Sequence, residues 1–196
     1  MPLQGKKTLL AITGGIAAFK AVRVLRLLKK QGADVYVVMT KHATHFLAPA
    51  TCAALSGHPV CTDLFAPLHS SSMEHIALAH GTAAVLVVPA TANVIAKLAT
   101  GIADDLLSTL LLVVADRAPI FLAPAMNAHM YTNPVVQQHL TTLRQRRIEI
   151  IEPRYGQLAS TLEGEGIGRL TEPEDLVAHV LARLCQAHAQ LAPAPG

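Results

Sequence analysis

The sequence has no tryptophan and few other aromatic residues, which together make up 4% of its 196 residues. It also has no long run of lysine and arginine, and its formal net charge is only +3. Nucleic-acid-binding surfaces need clustered basic charge and aromatic side chains that stack on bases. The composition therefore argues against a nucleic-acid partner.

Cysteine is scarce as well. Cys52, Cys61 and Cys185 lie far apart, and no Cys-x-x-Cys pair or zinc-ligand spacing occurs. An odd number of widely spaced cysteines is typical of a reducing compartment. The ten histidines show no His-x-His or His-Glu-x-x-His spacing. We therefore predict no metal site.

Long apolar segments are also absent. The run LLSTLLLVV at 106–114 is too short to span a bilayer, and the first ten residues have no apolar core of a secretion signal. We expect a cytoplasmic protein with no membrane partner. Hydrophobic residues nevertheless make up 52% of the chain, and this favours a subunit interface in addition to a deep core.

Apolar strands alternate with amphipathic helices. The segment 6–15 predicts a buried strand that leads into a glycine turn, 16–32 predicts a helix ended by Gly32, and 33–40 predicts a second, parallel strand. We predict further strands at 83–91, 118–126 and 147–153, and further helices at about 41–56, 73–80, 92–100, 104–114, 133–145 and 172–190.

This order predicts an α/β fold, a three-layer Rossmann-like (flavodoxin-like) sandwich with a parallel sheet. The chain has no internal repeat and no linker. We therefore expect a single domain over 1–196, with a folded core at 5–184 and a frayed tail at 189–196.

Polar residues or glycines follow four of the predicted strands. Parallel sheets of this kind bind ligands at the carboxyl ends of their strands. Those ends supply residues 13–15, 40–41, 89–93 and 124–127. Their convergence predicts one ligand site.

The stretch TGGIAAFK (13–20) is typical of a phosphate-binding turn, because glycines allow close approach and a helix start offers free N–H groups. It does not match Gly-x-Gly-x-x-Gly. The second strand ends in Thr40, where a dinucleotide site would have an acid. A mononucleotide therefore fits better than NAD. A tight turn without a ligand explains the glycine pair equally well.

The stretch SSSMEHIALA (70–79) contains Ser71 and Glu74 at capping-box spacing, and His75 follows in the first turn of a predicted helix. The helix dipole at that position keeps an imidazole neutral, and a neutral imidazole can act as a general base. A capped surface helix with an incidental histidine gives the same pattern.

The stretch APAMNAHMYTNP (123–134) contains more than a turn requires. Met126, Met130 and Tyr131 surround Asn127, and this predicts a flap over a flat, apolar ligand. Methionine supplies adaptable apolar contact and asparagine supplies hydrogen-bond donors. A plain turn with Met126 in the core remains an alternative.

Five stretches together resemble the flavin-containing cysteine decarboxylases, and most closely the decarboxylases of coenzyme A biosynthesis. Their order and spacing match over about residues 5–184. They are TGGIAAFK (13–20), MEHIALA (73–79), PATANVIAKLATGIADDLLST (89–109), PAMNAHMY (124–131) and GEGIGRL (164–170).

The resemblance implies FMN bound at the strand ends, between the subunits of a homotrimer or homododecamer. It makes His75 the catalytic base and Asn127 the residue that binds the substrate carboxylate, with Met126 and Met130 in the substrate lid. The flavin contacts that it implies are Gly14, Gly15, Ile16, Ala17, Thr40, Thr91, Ala92, Asn93, Ala103 and Asp104.

The implied reaction is FMN-dependent decarboxylation of 4'-phosphopantothenoylcysteine to 4'-phosphopantetheine, through thioaldehyde and ene-thiol intermediates. The nitrogen of an acylated cysteine cannot form a Schiff base, so a flavin is needed as the electron sink. No nucleotide-using domain follows in the sequence, so we expect a stand-alone decarboxylase or a relative with other duties.

The chain departs from this family at two places. Ser160 occupies the position where the coenzyme A enzymes have a cysteine acid, and Ala103 precedes Asp104 where an asparagine is expected. A hydroxyl is a weaker acid than a thiol, so Ser160 either replaces the cysteine or leaves the product as an ene-thiol. An oxidative decarboxylase of peptide C-terminal cysteine is therefore an alternative. A flavin prenyltransferase and a non-catalytic flavoprotein are further alternatives.

Overall fold

Five parallel strands form the central sheet, in the order β2–β1–β3–β4–β5. Their bounds are β1 Lys7–Ile12, β2 Asp34–Met39, β3 Ala84–Ala90, β4 Ile120–Pro124 and β5 Glu149–Ile150. This is the strand order of flavodoxin-like folds, so the predicted fold class is confirmed. The computed structural model describes residues 2–65, 74–159 and 164–191, except for the side chains of 74–75 and 187–191.

Helices cover both faces of the sheet. A short 3-10 helix, Lys41–His45, follows β2. The described α-helices are α1 Ala18–Lys30, α2 Pro49–Ser56, α3 Glu74–Ala79, α4 Ala92–Thr100, α5 Leu106–Val114, α6 Ala128–Thr132, α7 Pro134–Gln145 and α8 Pro173–Leu191.

Alternate residues of each strand point to two separate hydrophobic cores. Leu10 and Leu86 pack with α1 and α8 on one face. Leu9 and Val85 pack with α4, α5 and α7 on the other. Because both faces are covered, the strands are continuously apolar rather than alternating with polar residues.

An antiparallel hairpin, β6 Arg154–Gln157 and β7 Glu165–Arg169, lies outside the central sheet and was not predicted. Its sequence is rich in glycine and charge, so it shows no apolar alternation that would indicate a strand. Helix α6 was also not predicted, because its five residues lie in a segment rich in turn-forming Pro and Asn.

Two predicted elements differ in extent. The helix predicted over 41–56 is divided into the 3-10 helix and α2, because Pro49 starts a new helix at its first position. The strand predicted over 147–153 pairs with β4 only at Glu149 and Ile150. Arg147, at its start, has a φ of 62°, which an extended strand does not allow.

Membrane spans and metal clusters were searched for in the described parts of the chain. No helix there is long and apolar enough to cross a bilayer. Within the same residues, no group of three or more His, Cys, Asp or Glu side chains is placed to hold a metal ion.

Candidate functional site

A cavity of about 570 Å³ opens at the carboxyl ends of β1, β3 and β4. The glycine turn after β1, the first residues after β3, the segment after β4 and the β6–β7 hairpin line it. We call it the strand-end cavity. It lies where the strand order reverses between β1 and β3, which is where sheets of this type bind ligands.

A buried hydroxyl ties the two central strand ends together. Thr13 is 1% exposed, and its Oγ1 donates a hydrogen bond to the Pro89 carbonyl at 2.7 Å. The Thr91 N–H in turn donates to Thr13 Oγ1 at 3.2 Å. The peptide bond that precedes Pro89, Val88–Pro89, is cis. The hydrogen bonds of Thr13 fix the position of Thr91, which lines the cavity.

The turn between β1 and α1 approaches the next loop too closely for a side chain. A Cβ added to Gly14 would lie 2.4 Å from Cβ of His42, which is inside contact distance. Helix α1 then begins at Ala18, and its N-cap residue, Ala17, provides no side-chain cap. A helix start of this kind favours an anion such as a phosphate.

Asn127 uses the two ends of its amide differently. Its Oδ1 accepts hydrogen bonds from the N–H groups of His129 at 2.8 Å and Met130 at 3.3 Å, and so caps α6. The amide nitrogen therefore keeps its two donors. Since Asn127 also lines the strand-end cavity, those donors are available to an acceptor there.

Apolar side chains form the rim of the cavity. Ile16 is 57% exposed, Phe19 59% and Met130 48%, and all three line it. Met126 also lines the cavity while it packs against the hydrophobic core under β4. The two interpretations of Met126, as a core residue and as a residue beside the ligand, therefore do not exclude each other.

Two cations, Lys20 and Arg169, line the same cavity and share one carboxylate. Lys20 Nζ lies 3.2 Å from both carboxylate oxygens of Glu172, and the Arg169 guanidinium donates to the same group. Desolvation acts to raise the pKa of Glu172. The hydrogen bonds and charges of Lys20 and Arg169 outweigh it and hold that pKa below its ordinary value.

Tyr131, in the segment after β4, is buried and hydrogen-bonded to Glu152. The residue is 8% exposed, and its hydroxyl donates to the Glu152 carboxylate, which also accepts from Arg144. Burial and the hydrogen bond to Glu152 raise the pKa of Tyr131 to about 12. The hydroxyl therefore keeps its proton across the physiological range and holds α6 in place.

The structure brings most of the predicted site residues together. The predicted residues that line the strand-end cavity are Gly14, Gly15, Ile16, Ala17, Thr91, Ala92, Met126, Asn127 and Met130. Sequence reasoning missed Phe19, Lys20, Gln157 and Arg169 as lining residues. The unexplained arginine after Gly-x-Gly in GEGIGRL is the signal that could have identified the last of these.

Four predicted flavin contacts do not line this cavity in the described part of one chain. Thr40 caps the 3-10 helix through Ala43 N–H at 3.3 Å. Asn93, Ala103 and Asp104 are exposed, and Asp104 pairs with Lys97. Helix α3, which includes His75, packs against α5. The His75 side chain and the whole of Ser160 lie outside the described residues.

A family model described as Flavoprotein matches residues 2–185, and the chain belongs to this family. The resemblance identified from the motifs is thereby confirmed.

Curated and solved proteins agree with this assignment. The chain is 47% identical over 176 residues to the coenzyme A biosynthesis bifunctional protein CoaBC of Haemophilus influenzae, a match that covers 90% of this chain and 43% of that protein. The chain thus spans less than half the length of this relative.

Two solved structures share the fold. A cysteine-to-serine mutant of PPC decarboxylase, complexed with pantothenoylaminoethenethiol, has a TM-score of 0.79 and 29% identity, and the match covers 92% of this chain and 98% of that one. The FMN-dependent cysteine decarboxylase SpaF has a TM-score of 0.78 and 28% identity, with 94% and 99% covered.

Proposed function

We propose that the chain is a carboxy-lyase that uses FMN to decarboxylate 4'-phosphopantothenoylcysteine to 4'-phosphopantetheine in coenzyme A biosynthesis. One observation supports this above the others: the uncapped start of α1, the free amide donors of Asn127 and the apolar rim face one cavity. The similarity to CoaBC and to PPC decarboxylase supports the choice of substrate.

The strand-end cavity fits FMN in its chemistry. The residues Gly14 to Ala17 would hold the phosphate at the start of α1, where no side chain competes for it. Thr91 and Ala92 would lie beside the flavin, with Met126 and Phe19 as apolar contacts. When bound, FMN supplies the electron sink that decarboxylation of an acylated cysteine requires.

Side chains of the protein itself would bind the substrate and exchange protons with it. Asn127 donates from its amide nitrogen to the carboxylate, and Met126 and Met130 cover the apolar part of the substrate. His75 would act as the general base. Ser160 stands at the position of the acid for the last step, in place of a thiol.

The functional unit in this proposal is a homotrimer, alone or assembled into a homododecamer, with FMN at its subunit interfaces. The exposed rim residues Ile16, Phe19 and Met130 support it, since such a patch is covered in a stable assembly. His75, Asn93, Ala103 and Asp104 would then reach the flavin of a neighbouring copy. We place the protein in the cytoplasm, with one domain whose core spans 5–184.

Mass spectrometry of the product tests the reaction. The FMN-loaded protein is incubated with 4'-phosphopantothenoylcysteine. Loss of CO2 alone is the expected result and means that Ser160 or a neighbour replaces the missing thiol acid. No turnover would overturn the proposal.

A second candidate is oxidative decarboxylation of a peptide C-terminal cysteine to an ene-thiol. Ser160 favours it. None of the three cysteines lies near position 160 in the sequence, and Cys52 and Cys61 are buried. Loss of CO2 and two hydrogens, with the flavin left reduced, would support this activity. A peptide ending in cysteine is the substrate to compare.

A further inference from the structure

The charged side chains that line the described part of the strand-end cavity are Lys20 and Arg169, and both are cations. Their shared carboxylate, Glu172, is not among the lining residues. Two positive charges against one negative charge leave the cavity with a surplus positive charge. The field inside therefore favours an anionic group.

Glu172 is a partner that an incoming anion can replace. Its side chain is 43% exposed, whereas that of Lys20 is 19% exposed. Exposed ion pairs of this kind contribute little to stability, typically less than about 1 kcal/mol. A phosphate dianion has more charge and more acceptor oxygens than one carboxylate, and the planar arginine fork matches its geometry.

The proposed complex contains three anionic groups. The start of α1 takes the FMN phosphate, and the amide of Asn127 takes the substrate carboxylate. The phosphate of the substrate has no partner among these, and the two cations have no anion from the ligands. We propose that Lys20 and Arg169 bind the phosphomonoester of the substrate, in exchange for Glu172. This inference rests on the proposed function.

The site makes the enzyme selective for phosphorylated substrates. The pair 4'-phosphopantothenate and pantothenate isolates this property, because the two differ by the phosphate and neither has the cysteine that reacts. Their binding to the FMN-loaded protein is measured by calorimetry at low salt. We expect the phosphorylated ligand to bind at least roughly tenfold more tightly, an effect of one charge-assisted contact.

Two variants change that ratio in opposite directions. Arg169→Gln removes one cation, and the phosphorylated ligand should lose most of its advantage while pantothenate binding stays within about twofold. Glu172→Gln removes the competing carboxylate, and the phosphorylated ligand should bind more tightly. A ratio that neither variant changes would overturn the proposal, and so would equal losses for both ligands.

Arg23→Gln is the matched control. Arg23 lies three residues after Lys20 on α1, pairs with Glu174 of α8 at 2.7 Å and is not among the described lining residues. Arg23→Gln also removes one positive charge and one ion pair with a glutamate, but outside the cavity lining, so the ligand ratio should not change. Melting temperature shows whether each variant is folded.

Two further measurements separate the possible causes. If Arg169→Gln loses FMN instead of the ligand preference, the cations serve the flavin phosphate and the proposal is wrong. Turnover is measured independently with 4'-phosphopantothenoylcysteine. Protein that prefers the phosphorylated ligand but turns nothing over would retain the phosphate site and contradict the decarboxylase function.

Discussion

Asn127 combines a structural role and a proposed binding role in one side chain. Its oxygen caps α6, while its nitrogen keeps its donors and the residue lines the strand-end cavity. A substitution that keeps the cap and changes the nitrogen separates the two roles. Aspartate does this, because it is as good an N-cap as asparagine but has no donors and adds a negative charge.

Asn127→Asp should therefore leave the melting temperature nearly unchanged and reduce kcat/KM for decarboxylation by roughly 100-fold or more, since the substrate carboxylate would meet a like charge. The matched control is Asn133→Asp. Asn133 caps α7 through Val135 N–H at 2.9 Å and is not among the described lining residues. Equal activity of the two variants would contradict the role of Asn127.

Asp105 is a second residue with a defined electrostatic role. It caps α5 through Ser108 N–H at 2.7 Å, and its other carboxylate oxygen lies 2.7 Å from Lys97 Nζ. Partial burial acts to raise the pKa of Asp105, but the hydrogen bonds from Lys97 and Ser108 lower it overall. The folded state therefore holds this proton more weakly than the unfolded state does.

A lowered folded-state pKa stabilises the protein above the unfolded pKa of aspartate, and this contribution disappears as the pH falls through the folded pKa. Asp105→Asn keeps the cap and removes the charge. The variant should be less stable at neutral pH and lose less stability on acidification. Melting temperatures between about pH 7 and about pH 3 test this. Parallel curves for the variant and the wild type would contradict it.

At the scale of elements, the contact between β7 and the segment after β4 depends on one glycine. Gly168 has a φ of 131°, and an added Cβ would lie 2.2 Å from the Met126 carbonyl oxygen. The Met126 N–H also donates to the Gly168 carbonyl at 3.1 Å. The hairpin is therefore held directly against the backbone of the segment after β4, which we call the flap.

Gly168→Ala should separate the hairpin from the flap and weaken substrate binding, seen as an increase in KM of roughly tenfold or more. Gly164→Ala is the control, because Gly164 has a positive φ of 64° but nothing within 4 Å of an added Cβ. It costs about 1 kcal/mol of backbone strain and should leave KM unchanged. An equal increase in KM for both would mean that strain, not the contact, is responsible.

The sequence predicted the sheet well because long apolar strands next to amphipathic helices have strong periodic signals. Once the strands are known, the residues after β1, β3 and β4 can be predicted as one site, because the carboxyl ends of parallel strands meet at one edge of the sheet. Thr40 was included by that rule, but the order β2–β1–β3 places the crevice on the other side of β1. Sheet order is a tertiary property that no local pattern contains.

The β6–β7 hairpin and α6 could not be predicted in the same way. The hairpin is held by its contact with Met126 and by backbone pairing, neither of which gives an apolar period. Helix α6 is five residues long, too short to be stable without the cap from Asn127 and the buried Tyr131. The part of the cavity lining that these two elements supply therefore depends on contacts between segments distant in sequence.

At the scale of the whole molecule, the exposed rim of the cavity predicts an assembly. Burying one phenylalanine contributes about 2 kcal/mol, and Phe19 is 59% exposed in the single chain. If the proposed trimer exists, Phe19→Asp should convert it to monomers and release FMN. Light scattering measures the mass of the assembly, and flavin absorbance measures the amount of bound FMN.

Leu112→Asp is the control for that experiment, because Leu112 is an exposed apolar residue of α5 that does not belong to the described cavity lining. It should leave mass and flavin content unchanged. Wild-type protein with the mass of one chain would contradict the proposed assembly.

The backbone bond between Met126 and Gly168 has a consequence for kinetics. It joins the segment after β4 to the β6–β7 hairpin, both of which line the cavity, and their backbones are in direct contact at Gly168. The two walls are therefore one mechanical unit. After rapid mixing with a ligand, reporters placed on the flap and on the hairpin should relax with a single common rate constant.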